Sequence, residues 1–450
     1  MKYSLIIQEG EENTIYLPPD ISLSGQTMVA FGSMSTPCRF ISSPLLDKQI
    51  IIANDVAKRL YIPFSADVHV FFDEDTVHLG PLVGIFTAGF TKSPLRPVRK
   101  RSFFFAKLLS QEKKVGVFAF VFGAHHINWE KGTITGYFYT DSGWTQHEVP
   151  FPAVIYNRLP NRRIENDETF QAIKETLKTA YGIPWFNENF FNKREVYRLL
   201  EKHPLSRPYL PDTSFSPTIE TAGQFLNRYG EVYLKPANGS HGLGIHHILK
   251  KNMKYECRFR DKQGTNRSQS FPTLSSLWKN IFSQQKKLNS YIIQQGIRLI
   301  EINGRKVDFR VHTNKNEEGN WQVSAIAAKI AEKTSVTTHI HSGGTVKTIE
   351  EIFPDQSVRG HILRQLCDAA LTLSRCLEEQ LQMNIGEIGF DLGIDRQHRI
   401  WMFEANSKPG RSIFTHPKLK QYDELTAMLS LAYAVYLSKK TTDKREALFT

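Results

Sequence analysis

Two short stretches near the C-terminal end carry the strongest structural signal in the chain: Gly389-Phe390-Asp391-Leu392-Gly393-Ile394-Asp395 and Ile400-Trp401-Met402-Phe403-Glu404-Ala405-Asn406. Both are rich in aliphatic and aromatic residues, and four polar residues separate them. The pattern predicts two strands of a hairpin. A turn centred between the second and third intervening residues places Asp391 directly opposite Glu404, with Asn406 two residues further along the same face.

Two carboxylates that face each other across a hairpin need a partner, because opposed like charges are destabilising. A cation or a shared proton satisfies them, and the amide oxygen of Asn406 completes an all-oxygen set that suits Mg²⁺. A second interpretation stays open, in which Asp391 pairs with a neighbouring Lys or Arg and Glu404 faces solvent. A one-residue slip in strand register would also separate the two carboxylates.

A glycine-rich segment follows a predicted strand earlier in the chain, at Val232–Ile245. Lys235 ends the strand, and three glycines follow within nine residues. Glycines allow backbone N–H groups to approach phosphate oxygens closely, and a lysine beside them adds a point charge. The segment is neither a Walker A loop nor a dinucleotide-binding fingerprint, since both continue into a helix. It predicts a phosphate-binding loop or a long glycine-rich hairpin turn.

Two further strands carry charge. In Val307–Val311, the alternation of a strand places Asp308 and Arg310 on one face. In Ser324–Ile330, Lys329 stands inside an apolar strand, where a lysine needs a partner. Each could also form an ordinary salt bridge.

Composition and charge exclude several classes of protein. The chain has 450 residues with a net charge of +12 at pH 7, 12% aromatic residues and four cysteines. The aromatic content argues against disorder, and the sparse, widely spaced cysteines argue against a disulfide framework and fit a reducing cytoplasm. The longest apolar run, Val115–Phe122, falls far short of the roughly 20 residues of a membrane helix. The positive charge predicts an anionic partner: nucleic acid, an anionic membrane or a phosphate-rich ligand.

The pattern of elements divides the chain into three predicted domains: 1–90, β-rich; 91–185, small and α/β; and 186–450, in which larger helices and strands alternate. The first contains short β-branched and aromatic runs separated by turn residues. Helical periodicity in the third domain predicts helices at Lys193–Glu201, Ile219–Arg228, Leu274–Lys286, His361–Leu381 and Asp423–Leu437.

The order of these features resembles the ATP-grasp fold: a lysine and glycine-rich loop, charged strands, then an acidic hairpin. The match is closest to the YheC/YheD endospore coat-associated family, with a more distant similarity to RimK-type glutamate ligases. It covers about residues 186–437, and its most specific part is Glu404–Gly410, which resembles the family ending E-x-N-x-x-P-G. The resemblance implies an α+β fold in which two α+β lobes sandwich ATP. A small α/β pre-ATP-grasp domain and an N-terminal β-rich domain precede them.

The resemblance also implies roles for individual residues. Those expected to bind ATP are Lys193, Lys235, Gly239, Ser240, Gly242, Gly244, Gln294, Gln295, Ile297 and Asp308. Those expected to bind Mg²⁺ are Asp391, Glu404 and Asn406. Arg310 is expected to face the reacting group as a catalytic residue, together with Lys329, which stands where RimK-like enzymes usually have arginine and lacks the bidentate fork of that residue. His341-Ser342-Gly343-Gly344 resembles a turn on the substrate side.

The expected function is that of an ATP-dependent carboxylate–amine ligase that works through an acylphosphate and is connected with the endospore coat or envelope. Its substrates would be a small-molecule or peptide carboxylate and an amine, with an acidic peptide or polymer as one possibility. The alternative is a spore-structure protein that binds nucleotide without ligating anything. A third hypothesis, nucleic-acid binding by the basic cluster Arg96–Arg101, has no accompanying recognition motif. Arg158 is expected in a surface ion pair, and Arg158 and Arg411 are further candidates to contact the substrate.

Overall fold

The computed structural model describes residues 1–237, 244–261, 263–282, 291–332 and 343–449. These residues form four sheets, each covered on at least one face by helices or by another sheet. No helix within the described ranges combines the length and the hydrophobicity needed to cross a bilayer.

The first sheet is built by the N-terminal region, as its β-rich sequence predicts. It has the strand order β4-β3-β8-β7-β1-β6-β2-β5 among the described residues. Its elements are β1 (Lys2–Gln8), β2 (Thr14–Leu17), β3 (Met28–Phe31), β4 (Met34–Pro37), β5 (Arg39–Ser42), β6 (Gln49–Ala53), α1 (Asn54–Arg59), β7 (Ala66–Phe72) and β8 (Thr76–Gly80).

The second sheet has four parallel strands, β10-β9-β14-β15, extended on one side by antiparallel strands. Its elements are β9 (Leu82–Phe86), α2 (Ser102–Leu109), α3 (Glu112–Val115), β10 (Phe118–Phe122), β11 (Ile127–Asn128), β12 (Thr133–Thr140), β13 (Gly143–Pro150), β14 (Val154–Asn157), α4 (Arg162–Glu165), α5 (Glu168–Thr179) and β15 (Trp185–Phe186).

Two details of this region differ from the sequence expectation. Strand β9 lies before residue 90, yet it pairs in the second sheet rather than the first. The apolar run Val115–Phe122 is not one strand, because helix α3 ends at Val115 and Gly116 follows with a φ of 85°. A residue in this left-handed conformation ends a helix readily when it is glycine, so the strand begins only at Phe118.

The third sheet, with the order β16-β21-β17-β18-β19-β20, forms one lobe of the ATP-grasp region. Its elements, with the helix that precedes it, are α6 (Lys193–Lys202), β16 (Thr213–Phe215), α7 (Ile219–Tyr229), β17 (Glu231–Pro236), β18 (His246–Lys251), β19 (Lys254–Arg260), β20 (Asn266–Phe271), α8 (Leu274–Ile281) and β21 (Tyr291–Gln295). Helix α8 ends at Ile281, earlier than expected, and residues 283–286 of the predicted helix lie outside the described residues.

The fourth sheet, with the order β25-β24-β23-β26-β27 and β22 paired to β23, forms the other lobe. Its elements are β22 (Glu301–Ile302), β23 (Arg305–Lys315), β24 (Trp321–Ile330), β25 (Thr345–Lys347), α9 (Ile349–Ile352), α10 (Gln356–Leu381), β26 (Glu387–Ile394), β27 (Ile400–Asn406) and α11 (Lys420–Phe449). The long helix α10 buries the predicted stripe that includes Leu366, Ala370 and Leu373 against β23 and β26.

The last helix, α11, contacts β23 and β24 of the fourth sheet and also packs on the second sheet. Its residues Leu431 and Ala434 share a core with Val83 and Ile85 of β9 and with Phe105 of α2. The second sheet is therefore attached to the C-terminal end of the chain by a common apolar core, which fixes the carboxyl ends of its strands against the acidic hairpin.

Candidate active site

The acidic hairpin has the predicted register over the half that carries the carboxylates. Asp391 stands opposite Glu404, and Asn406 stands opposite Gly389. The register shifts by one residue between Asp391 and Leu392, so the pairs nearer the turn differ from the prediction. An extra residue in β27 therefore forms a bulge directly beside Glu404, which sequence alternation alone does not reveal.

Strand β23 lies on the other side of β26 and brings cations to Asp391. Arg310 pairs with Asp391 in the strand register, and its Nε lies 3.0 Å from Asp391 Oδ1. Lys329 Nζ, one strand further, lies 2.8 Å from the same oxygen and 3.2 Å from Asp308 Oδ1. Of the second interpretation, the pairing of Asp391 with basic neighbours is therefore confirmed, with its two oxygens held by Arg310 and Lys329. The part in which Glu404 faces solvent is wrong, because Glu404 is half-buried beside Lys193.

Lys329 is buried but remains a cation. Burial lowers the pKa of Lys329, and the charges of Asp308 and Asp391 outweigh that effect, so its pKa lies above the ordinary value. Buried ion pairs of this kind hold side chains in one geometry because an unpaired partner would be costly. Asp308, Arg310, Lys329 and Asp391 thus form one charged row across three strands.

Two lysines reach this row: Lys193 from helix α6, which packs on α10 and β27 beside the fourth sheet, and Lys235 from the third sheet. Lys193 opens helix α6, where the side chain of Asn192 caps the helix by accepting from the N–H groups of Arg194 and Glu195. Its Nζ lies 3.5 Å from Glu404 Oε1. Lys235, at the end of β17, donates to Gln294 Oε1 at 2.6 Å.

The pKa of Lys235 is lowered to about 8. Burial is the main cause and repulsion from Lys193 adds to it, whereas Glu404 and Asp391 raise the pKa in part. A lysine whose charge is poorly compensated attracts an anion, and this one stands where the glycine-rich loop begins.

The three residues expected near adenine, Gln294, Gln295 and Ile297, differ in their surroundings. Gln294 is buried beneath Lys235 and also donates to Tyr197 and Thr213, so it orients the lysine. The backbone N–H of Gln295 donates to the carbonyl of Asp212 at 2.8 Å, which engages one of the groups expected to hold the base. Ile297 packs beside Leu299, Trp401 and Phe403 in a small apolar cluster.

The glycine-rich loop is described only in part. Gly244 has a φ of 73°, and an added Cβ would lie 3.1 Å from Pro236 Cγ. Gly239, Ser240 and Gly242 lie outside the described residues. On the substrate side, Gly343 has a φ of 85°, as a turn requires, while His341 and Ser342 also lie outside that part of the chain.

The donors present fit Mg²⁺ in type. Asp391, Glu404 and Asn406 offer only oxygen atoms, and they share one face of the hairpin. Within the described ranges there is no group of three or more His, Cys, Asp or Glu side chains arranged for a metal ion, so a site here would depend on the Asn406 amide. Asp391 already accepts from two cations, whereas Glu404 is half-buried with Lys193 beside it.

Sequence reasoning missed the residues that join the second sheet to the hairpin. Asn187, directly after β15, donates to the carbonyls of Glu387 and Ser407 and accepts from the N–H of Gly386. Arg158, directly after β14, donates to Glu387 Oε1 at 2.6 Å. The expectation of a surface ion pair for Arg158 is wrong, because both partners are buried where two domains meet.

A further polar residue, His312, lies fully buried two residues beyond Arg310 on β23. Burial and the charges of Arg310 and Arg411 hold the pKa of His312 well below its ordinary value, so it is neutral. The strand alternation that places Asp308 and Arg310 on one face also places His312 on that face, so the sequence could have predicted its position.

The two histidines of β18 are at least partly buried. His247 bonds Glu231 at 2.8 Å, and burial lowers the pKa of His246 to about 4. Arg411 does not face solvent either, since it pairs with Asp423 of α11 at 2.6 Å.

This fold and charged row define an ATP-grasp protein, and the chain belongs to the YheC/D-like ATP-grasp family, whose model matches residues 182–437. It is 43% identical to the endospore coat-associated protein YheD of Bacillus subtilis strain 168, over 100% of this chain and 99% of YheD. The endospore coat-associated protein YheC of the same strain is 26% identical over 64% of this chain and 79% of YheC.

The crystal structure of D-alanine–D-alanine ligase from Bacillus anthracis aligns with 81% of this chain and 99% of that chain, at 12% identity and a TM-score of 0.45.

Proposed function

We propose that this protein is an ATP-dependent ligase that joins a carboxylate to an amine, with ATP bound between the third and fourth sheets. The carrying observation is that two cations, Lys193 beside the acidic hairpin and Lys235 from the third sheet, lie near the carboxylates of the fourth sheet. Lys193 lies 3.5 Å from Glu404, and Glu404 and Asp391 both act on the charge of Lys235. A polyphosphate together with a divalent cation would satisfy both sets of charges at once.

In this proposal the chain supplies binding and charge stabilisation. Lys193 and Lys235 bind phosphate oxygens, and Gln294 holds the Lys235 ammonium in position. Glu404 and Asn406, with Asp391, hold Mg²⁺, which when bound offsets the charge of the β- and γ-phosphates.

The reaction would proceed in two steps. An oxygen of the substrate carboxylate bonds to the γ-phosphorus while the bond to the ADP oxygen breaks, which gives an acylphosphate and ADP. The amine nitrogen then bonds to the acyl carbon, inorganic phosphate leaves, and the nitrogen loses a proton to solvent. Arg310 and Lys329 stabilise the charge that develops on the transferring group.

The biological setting follows from the relatives. The YheD and YheC proteins of B. subtilis are named endospore coat-associated. Their names support a role for this ligase in forming or modifying a component of the endospore coat or envelope.

The test is turnover of Mg-ATP by the purified full-length protein, measured as ADP formation against a panel of amino acids and dipeptides. Mass spectrometry then identifies any product. Glu404→Gln should lower magnesium-dependent turnover by more than about a hundredfold, since even the partners of metal ligands typically contribute about 10–100-fold. Glu379→Gln removes an exposed carboxylate of α10 and is the matched control.

Two outcomes would contradict parts of the proposal. Turnover equal to wild type in Glu404→Gln would remove the metal assignment. Tight binding of Mg-ATP with no product from any substrate pair would favour the alternative, a nucleotide-binding protein of the spore structure that does not ligate.

A further inference from the structure

The carboxyl edge of the second sheet has the topology of a ligand site. Strands β9, β10, β14 and β15 are parallel, so their carboxyl ends lie at one edge. The chain places β10 on one side of β9 and β14 on the other, which reverses the strand order at β9. In open α/β sheets, ligands bind outside the carboxyl ends of the strands at such a reversal. Thr87 and Arg158 directly follow β9 and β14 at this point.

Arg101, just before helix α2, bridges these two residues. Its Nη1 donates to Thr87 Oγ1 at 2.7 Å, and its Nη2 donates to the carbonyl of Arg158. The guanidinium lies over the ring of Phe105, 4.8 Å from the centroid. Among the described residues it has no carboxylate partner, and burial together with the charge of Arg158 lowers its pKa to about 9.

Two more guanidinium groups meet at the ring of Phe104. Arg158 lies 4.8 Å from its centroid and Arg411 lies 5.4 Å from it. We call the place where the guanidinium groups of Arg101, Arg158 and Arg411 converge the arginine crevice. It lies between helix α2, the edge of the second sheet and the segment that follows the acidic hairpin.

The cations around the arginine crevice outnumber the carboxylates that accompany them. Glu387 pairs with Arg158. Asp423 is shared by Arg411 and Lys107, at 2.6 and 2.8 Å. With Arg101 included, four cations therefore face two carboxylates in this part of the described chain. A net positive charge in a partly buried crevice favours an anionic ligand.

Buried polar atoms without a hydrogen-bond partner are also found here. They include Arg158 Nε, Arg310 Nη1 and both ring nitrogens of His312. Leaving such a group unsatisfied costs about 1–3 kcal/mol, so a native protein seldom tolerates several together without a function. Most of these atoms are N–H donors or, for neutral His312, can present one. The acceptor Glu387 Oε2, also without a partner, could take an N–H group of the same ligand.

We propose that the arginine crevice binds a second carboxylate of the substrate, distinct from the one that is activated, so that the ligase acts on an acidic amino acid or an acidic peptide. The ring of Phe414 lies 5.4 Å from that of His312 and 5.0 Å from the guanidinium of Arg411, and His312 follows Arg310 on β23, so the crevice adjoins the charged row. The activated group lies at Arg310, and the second carboxylate lies at Arg101, Arg158 and Arg411. The reaction assigned to this substrate rests on the proposed function, whereas its binding does not.

Equilibrium binding tests this inference on the full-length protein loaded with Mg-ADP. Calorimetry compares aspartate, glutamate and their dipeptides with the corresponding asparagine and glutamine compounds, which differ in one carboxylate. We expect at least one acid to bind tenfold or more tightly than its amide. Arg101→Gln should abolish this preference, and Lys100→Gln, which removes an exposed neighbouring charge, should keep it.

Further variants and outcomes make the result decisive. Arg101→Lys keeps the positive charge but loses the bidentate geometry of the guanidinium, so it should retain only part of the preference for acids. If Arg101→Gln does not fold, the comparison of Arg101→Lys with wild type replaces it. Acids that bind no better than their amides, a preference that survives Arg101→Gln, or a preference for O-phosphoserine alone would overturn the inference. An acid preference in a protein without ATP turnover would support the crevice while contradicting the ligase proposal.

Discussion

The lowered pKa of Lys235 makes nucleotide affinity depend on pH in a predictable direction. In the free protein its pKa is about 8, because burial and Lys193 disfavour the charge. A phosphate beside the ammonium favours the charged form, so binding raises this pKa. The affinity for nucleotide is therefore highest below pH 8. It falls as the pH rises from 8 towards the pKa that Lys235 has in the complex.

The magnitude follows from linkage. Each pH unit between the two pKa values costs about 1.4 kcal/mol of binding free energy, which is a factor of about ten. With a free pKa of about 8, Kd should be about tenfold higher at pH 9 than at pH 7. The terminal phosphate of ADP, with a pKa of roughly 6, is ionised throughout this range and adds little slope.

The assay is calorimetric titration of the protein with Mg-ADP at half-unit steps from pH 6.5 to 9.5, each in two buffers to count protons taken up. Lys235→Arg stays charged over the whole range and should bind with a flat profile. A flat wild-type profile, or an equal slope in Lys235→Arg, would refute the placement of Lys235 at the phosphates.

Two further predictions concern stability. Gly389→Ala should destabilise the protein by about 1–3 kcal/mol in urea unfolding, because the new Cβ would lie 2.5 Å from Pro409 Cβ and 2.7 Å from Arg310 Nη1. Gly360→Ala, in helix α10 with open space around it, should be neutral or slightly stabilising, and equal effects of the two changes would contradict this account. Arg158→Met should cost about 3–5 kcal/mol because it leaves Glu387 buried without its cation. Adding Glu387→Met should recover much of the loss, and a double variant no more stable than the single one would argue against an uncompensated charge.

Local patterns in the chain predicted the acidic hairpin well. Alternation and the length of the turn placed Asp391 opposite Glu404, and the strands have this pairing. Alternation and turn length did not predict the bulge beside Glu404, because the hydrophobic pattern of β27 is compatible with a strand with or without an extra residue. The helical stripe of α10 was likewise readable, since its period reflects burial on one face.

Partners distant in sequence could not be predicted in the same way. Arg158 looked like a surface residue, and its burial with Glu387 follows only from the docking of two domains. The sequence predicts a C-terminal helix at Asp423–Leu437, yet nothing in that segment indicates that α11 shares a core with strand β9. Packing against a distant element depends on the chain's path, which short-range periodicity does not encode.

The sequence by itself determined the elements and the chemistry of the charged row, because strand alternation and residue type are local properties. It placed Asp308 and Arg310 on one face and Asp391 opposite Glu404. Only the tertiary structure decided which charges meet: that Lys193 of helix α6 lies beside Glu404, more than 200 residues further along the chain, and that Arg101 meets Arg158 at a sheet edge. The reason is physical, since the energy of a charge depends on its burial and its neighbours in space, and both exist only once the chain has folded.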